Sequence, residues 1–491
     1  MRSALLSAAI LDGLLRVLSG TLFFPRGGSA FVTRALAHRL AERGLDLTLV
    51  AGSRHDLGGL SDARRFYAGI DLHEVDFSAA LEADDGMTFE STAGCAPLQP
   101  SFEDRPGAGD RVFASLDDAA YECQVAAWTR ELRAAGAARA EVLHLHHLTM
   151  LNAAAAEAAP GVPVVGHLHG TELMMLEAIE RDPGRWAHGP AWAARLKDWA
   201  AHCERIVAAP GNVDRAVEQL GVPSERVVTL PNGFDPVTFR PLDVDRRAVW
   251  RRVLVEEPRG WRPGEEPGSV SYGEAELDAL CRGPVIIYVG RFTEVKRIPL
   301  LIEAFADARE RIRSPATLVL VGGHPGEWEG EHPAEAIERL GLDEVVLAGW
   351  HDQSELPELL AASDLLVLPS ARESFGQVIV EAMACGVPPI SSDSHGPAHI
   401  IDDGETGWLF DLHDRDALVR ALVEAVDDPA ERALRAERAE QAALERFTWP
   451  AIAEQLEQIL RAAARPAGRR RVHEGRTRQV PQAGEPDARR P

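Results

Sequence analysis

The sequence has few of the residues that build disulfide frameworks or thiolate metal sites. Its 491 residues hold five cysteines, at 95, 123, 203, 281 and 385, scattered and with no C-x-x-C. That pattern argues for a reducing compartment, with the cytoplasm the natural home, and against a disulfide scaffold or thiolate zinc site. No apolar run approaches the roughly 20 residues that span a bilayer, so stable membrane insertion is not expected. The stretch SALLSAAIL after Arg2 faintly resembles a leader peptide, but Asp12 and Arg16 interrupt it, and it reads as an N-terminal extension. Basic residues are also scarce: 52 Lys and Arg against 76 Asp and Glu give a net charge of -24, which disfavours nucleic acid and anionic membrane as standing partners. Neither G-x-G-x-x-G nor a Walker motif is present, which counts against a dinucleotide dehydrogenase or a P-loop enzyme.

At this length a single hydrophobic core is exceeded, and two domains are expected. The chain opens as a βαβ unit: LLRVLSGT as strand, FFPRGG as turn, SAFVTRALAHRLAERG as amphipathic helix and LDLTLVAG as second strand. Gly27 and Gly28 stand between strand and helix, where a missing Cβ lets backbone amides approach a phosphate or sugar; a plain turn is the ordinary use of such a pair. From His55 to Gly136, acidic residues and turn signals such as PSFEDRPGAGD obscure the pattern. Two His-bearing strands follow, EVLHLHHL and PVVGHLHGTEL. Alternate strand residues share a face, so His144 points with His146 and His167 with His169. Such pairs could ligate a divalent ion, but no compelling carboxylate ligand accompanies them, and packed, hydrogen-bonded imidazoles are the commoner arrangement. His169 differs, because it stands at a strand's C-terminal end, in the crevice where open α/β sheets bind ligands. The Trp-bearing helix AWAARLKDWAAHCERI reads as an amphipathic helix packed on a core, with contact to an anionic lipid surface as the alternative. From Asp243 to Glu276 the sequence is charged and rich in Pro and Gly, and reads as a loop-rich insertion.

The second half begins with VIIYVG, a strand that delivers Arg291, and Lys296 follows at the start of a helix. Two cations on one turn can hold a pyrophosphate and offset charge that develops on a leaving group. Further on, LLVLPS is the short continuous apolar run of a buried parallel strand, ended by Pro369. From Phe375 the apolar spacing turns helical, with Val378, Ile379, Ala382 and Met383 on one side, until Gly386 and Pro388 stop it. Glu373 falls in the loop, and Glu381 about two helical turns beyond. The helix N-terminus near Phe375 and Gly376 offers unpaired N–H groups, so two carboxylates border one pocket.

Glu373 and Glu381, with seven residues between them in ARESFGQVIVEAMACG, resemble the E-x7-E signature of retaining family 4 glycosyltransferases. Gly290-Arg291 with Lys296, His169-Gly170-Thr171 and the junction Pro231-Asn232-Gly233-Phe234-Asp235 extend the resemblance over both halves. It implies an α/β GT-B fold, two facing Rossmann-like domains with a catalytic cleft between them. The expected organisation is an acceptor-side domain at 13–238, a charged linker or insertion at 239–282 and a donor nucleotide-sugar domain at 283–446, followed by a helix at 447–465 returning to the first domain and a disordered tail at 466–491. By resemblance, Arg291 and Lys296 hold the diphosphate, Glu381 accepts ribose hydroxyls, and Glu373 with the Phe375 and Gly376 amides holds the sugar. Gln377 belongs to the same donor set, Gly28 faces the diphosphate, Trp350 and His351 border the base, and His169 lies over the reacting centre. The resemblance implies retaining transfer from an NDP-sugar, with UDP the expected nucleotide, to a small-molecule, glycan or lipid-linked acceptor, without metal or other cofactor. A GT-B epimerase or phosphorylase would share the architecture, and a metal-dependent hydrolase using the paired histidines is the remaining alternative.

Overall fold

The computed structural model describes residues 14–78, 97, 101–102 and 111–464. The N-terminal extension through residue 13, most of 79–110 with Cys95, and the expected tail lie outside these. Seven strands form the first sheet: β1 (Arg16–Thr21), β2 (Asp46–Ser53), β3 (Asp71–Asp76), β4 (Val142–His146), β5 (Val164–His167), β6 (Arg205–Ala208) and β7 (Val227–Thr229). Six form the second: β8 (Val285–Gly290), β9 (Thr317–Gly322), β10 (Val345–Gly349), β11 (Leu365–Leu368), β12 (Pro389–Ser392) and β13 (Trp408–Phe410). All the strand pairings within both sheets are parallel. Their spatial orders are 3-2-1-4-5-6-7 and 10-9-8-11-12-13. Each order reverses beside the domain's first strand, between β1 and β4 and between β8 and β11. Ligands of open α/β sheets bind at that switch point, outside the carboxyl ends of the strands.

Two-sided burial explains why these strands read as apolar runs. Val17, Leu49 and Val142 enter one core of the first domain, while their neighbours Leu18, Val50 and Leu143 enter the core on the opposite face. The first of these cores also takes Trp449, Ile452, Leu456 and Leu460 from the last helix, Trp449–Ala464, so the chain's end returns to the first domain. Outgoing and returning segments run side by side: Phe234 N–H donates to Phe447 O at 2.8 Å and Trp449 N–H to Phe234 O at 3.0 Å. Gly233 is required there, since a Cβ would stand 2.7 Å from the Trp449 ring.

The segment read as a loop-rich insertion is folded into the second core. It carries helices Arg246–Arg251 and Glu274–Leu280, and its Trp250 and Trp261 are buried, with indole N–H groups donated to Ala362 O at 3.1 Å and Gly323 O at 3.0 Å. The helix Gly189–His202 turns Trp192, Leu196 and Trp199 inward, with Trp192 stacked on Phe113 at 4.8 Å, so its apolar face is spent on packing. Cys203, Cys281 and Cys385 are free, whereas Cys123 is disulfide-bonded. That bond departs from the expectation of unpaired thiols, because scattered spacing carries no sign of which cysteines the fold brings together.

Candidate active site

The loops that follow β8 and β11 meet at the second switch point. Ala371 N–H donates to Val295 O at 2.7 Å, and Lys296 Nζ is bonded to Glu373 Oε2 with both side chains mostly covered. Arg291 begins the first of these loops and is exposed; among the described residues its guanidinium has no ion-pair partner. Beneath them, burial pushes the Tyr288 phenol far above its ordinary range, with Glu373 adding to the shift and Arg291 opposing it. Thr293 and Ser370, one in each loop, bury hydroxyls that find no hydrogen-bond partner among the described residues. Buried polar atoms are rarely left so.

Gly376 caps the helix Gln377–Ala384 with φ 105°, and a Cβ there would meet Ile379 Cδ1 at 2.9 Å, which is why glycine occupies the turn. Glu373 remains in the loop, while Phe375 is buried against Phe447 at 5.9 Å. One turn into the helix, Glu381 is 2% exposed. It accepts from Gln353 Nε2 at 3.0 Å and Gln377 Nε2 at 3.3 Å, both on Oε1, so Oε2 is left open. Burial raises its pKa to about 7. Gln377 also donates to Gly233 O at 2.8 Å, which ties Glu381 to the interdomain junction.

Trp350 is 42% exposed and lies 5.8 Å from His324, at the ends of the neighbouring strands β10 and β9. It therefore presents an exposed aromatic face. His351, its partner in expectation, is buried beneath the loop and bonded to Ala348 O at 3.3 Å.

Across the cleft, His169 follows β5 and is joined by His146, whose Nδ1 lies 3.0 Å from His169 Nε2. Behind them His144 Nε2 meets His167 Nδ1 at 3.2 Å, and Ser19 Oγ lies 3.4 Å from His144 Nδ1. One nitrogen from each of His144, His146 and His167 falls within 4.8 Å of the others, a grouping capable of holding an ion, but in this structure the rings partner one another. Burial, reinforced by neighbouring imidazoles, holds His146, His167 and His169 well below the ordinary histidine range. His169 is therefore neutral near pH 7 and has one N–H to donate. Gly28 is exposed at the start of the helix Gly27–Glu42, and a Cβ added there would meet nothing within 4 Å, so packing does not demand glycine at that position.

The facing domains touch beside these groups. A Cβ on Gly170 would fall 2.9 Å from Ser374 Oγ of the other domain, and Arg372 Nη1 donates to Glu177 Oε2 at 2.8 Å. Sequence reasoning missed Gln353, Tyr288, Arg372 and Glu177. The first of these follows the Trp350-His351 pair by two residues, but nothing in its neighbours reveals the carboxylate it meets.

Two facing parallel-sheet domains, each with its switch point turned to the cleft, have the GT-B architecture. The family described as "Glycosyl transferases group 1" matches residues 279–443, and "Glycosyltransferase Family 4" matches 100–237. The chain belongs to the family 4 glycosyltransferases. It is 34% identical over 192 residues to the lipopolysaccharide core biosynthesis glycosyltransferase LpsE of Rhizobium meliloti (strain 1021), a match covering 39% of this chain and 54% of that one, about half its length. It is 28% identical over 400 residues to the D-inositol 3-phosphate glycosyltransferase of Salinispora tropica, covering 78% of each. Among solved structures, Anabaena HepE in complex with UDP and glucose superposes with a TM-score of 0.62 at 19% identity, over 91% of this chain and all of that one, a likeness of fold. Among the described residues no helix is long and apolar enough to cross a membrane.

Proposed function

We propose that this glycosyltransferase moves a sugar from a nucleoside diphosphate sugar, with UDP as the nucleotide, to an acceptor hydroxyl with retention at the anomeric carbon. The observation that carries the reading is the bonded Lys296–Glu373 pair on adjoining loops, with the open Oε2 of Glu381 in the same domain. A diphosphate entering there takes Lys296 and the unpaired Arg291, and frees Glu373 for sugar hydroxyls. The ribose hydroxyls donate to Glu381 Oε2, Trp350 offers its face to the base, the Gly28 amide faces the diphosphate, and the neutral His169 faces the reacting sugar. As the bond from anomeric carbon to phosphate oxygen breaks, the acceptor oxygen adds on the same face and its proton passes to the departing phosphate. The two cations supply the positive charge that this step needs, so no metal ion is required. UDP in the HepE structure supports the choice of nucleotide, and the acceptor is left as a hydroxyl compound.

The test is a thermal-shift series with UDP and GDP, followed by product analysis with UDP-sugars. UDP alone should stabilise the protein. Arg291→Ala or Lys296→Ala should lower turnover by roughly 10²- to 10³-fold. Normal turnover in Arg291→Ala sinks the assignment. Free epimerised nucleotide sugar, or a sugar phosphate formed only with added phosphate, would instead identify an epimerase or phosphorylase.

A further inference from the structure

One charged side chain reaches the nucleoside side of the donor pocket from the folded insertion. Arg259 pairs with Gly349, the last residue of β10, in a parallel bridge, and its carbonyl fills the space a Cβ on Gly349 would need. From this anchor the guanidinium turns onto the loop that follows β10. It donates to both carboxylate oxygens of Glu355 at 2.9 and 3.1 Å, lies 3.3 Å from His351 Nδ1 and reaches the Trp350 carbonyl at 3.5 Å. Glu355 in turn accepts from the Asp352 amide at 2.9 Å, so one fork of charge-assisted bonds fixes the loop from 350 to 355. That loop carries Trp350 at one end and Gln353, 3.0 Å from Glu381 Oε1, in its middle.

We infer that Arg259 is a positioning residue for the nucleoside half of the donor: it clamps the 350–355 loop and thereby sets both the Trp350 face and the Gln353 amide that orients Glu381. The inference rests on the nucleotide-sugar reading above. Arginine suits the task because a lysine is a point charge and cannot grip a carboxylate at two oxygens while reaching a carbonyl. A merely structural Arg259 would affect stability without distinguishing one part of the donor from another.

The experiment compares UDP and inorganic pyrophosphate binding by calorimetry, with donor kinetics, for wild type, Arg259→Gln, Arg259→Lys, Glu355→Gln and the Arg259→Gln/Glu355→Gln double variant. Arg259→Gln should weaken UDP binding and raise donor KM about tenfold, with kcat within about twofold and pyrophosphate affinity unchanged. Glu355→Gln should reproduce this, the double variant should be no worse than the worse single one, and Arg259→Lys should lie between wild type and Arg259→Gln. Unchanged UDP affinity with a lowered melting temperature overturns the inference, as does an equal loss of pyrophosphate affinity. If wild type binds no UDP, the donor reading falls and this inference with it; if wild type binds UDP and Arg259→Gln binds it equally, this inference alone falls.

Discussion

Glu381 shows how one carboxylate is kept available at a cost. Gln353 and Gln377 both donate to Oε1, and burial raises its pKa from the ordinary 4.5 to about 7. The folded protein therefore holds this proton to higher pH than the unfolded chain does. Folding stability from this group falls as pH climbs from about 4.5 to about 7, and the whole cost is present above that. A glutamine has the same shape, accepts the same two bonds and does not titrate. Glu381→Gln should thus be more stable than wild type at pH 8 by on the order of 3 kcal/mol, with the difference closing toward pH 4. Urea denaturation at the two pH values measures it, and a pH-independent difference would show that the carboxyl is not the titrating group. On the proposed donor reading activity should move the opposite way, since a glutamine would present an N–H to the ribose hydroxyls in place of an acceptor. Gly28 is the contrasting case: open space around it predicts that Gly28→Ala leaves the melting temperature unchanged, so any loss in transfer reports ligand approach alone.

At the scale of elements, the strands and the strand-loop-helix unit around Glu373 were legible because both are local. A parallel strand covered on both faces must be apolar throughout, and β8 and β11 satisfy that within a few residues of their expected ends. The E-x7-E and G-R-x4-K spacings lie on such units, so the sequence places their residues near one another. Their partners were not legible, since the approach of Gln353 to Glu381 or Arg259 to Glu355 depends on sheet order and on loops distant in sequence. The insertion was misread for a different reason. EEPRGWRPGEEPGS has no apolar period and is anchored by the single Trp261, while the short stripe of Val249, Trp250, Val253 and Leu254 that precedes it is buried in the second core. Trp250 is fully buried, with its indole N–H bonded to Ala362 O at 3.1 Å. Trp250→Ala should therefore cost about 3–5 kcal/mol in chemical denaturation. A tryptophan on a surface loop would change stability by only about 0.5 kcal/mol.

For the whole molecule, the chain crosses between domains twice at one place, where Phe234 and Phe447 lie side by side, and this doubled crossing is the natural hinge. Away from it the domains are joined by close backbone approach and by charge. A Cβ on Gly211 would fall 2.5 Å from Gly396 N, and Arg372 of the second domain reaches Glu177, which Arg215 and Gln219 of its own domain also hold, at 2.7 Å each. Glu177 begins within the helix that follows His169, and Arg372 immediately precedes Glu373, so this ion pair joins the two walls of the site. Its side chains are 38% and 20% exposed, which limits its worth to roughly 1 kcal/mol and makes it sensitive to salt. A bond of that strength shifts the balance between closed and open clefts about fivefold without locking either. Arg372→Gln is the clean probe, because it removes the bond between domains and leaves Glu177 with Arg215 and Gln219. The variant without donor should show a larger radius of gyration in small-angle scattering than wild type at low salt, and wild type should approach the variant as salt is raised toward 1 M. Equal radii at low salt, or a wild-type radius indifferent to salt, would mean that the close approach of Gly211 to the Gly396 backbone and of Gly170 to the Ser374 side chain holds the cleft without help from charge.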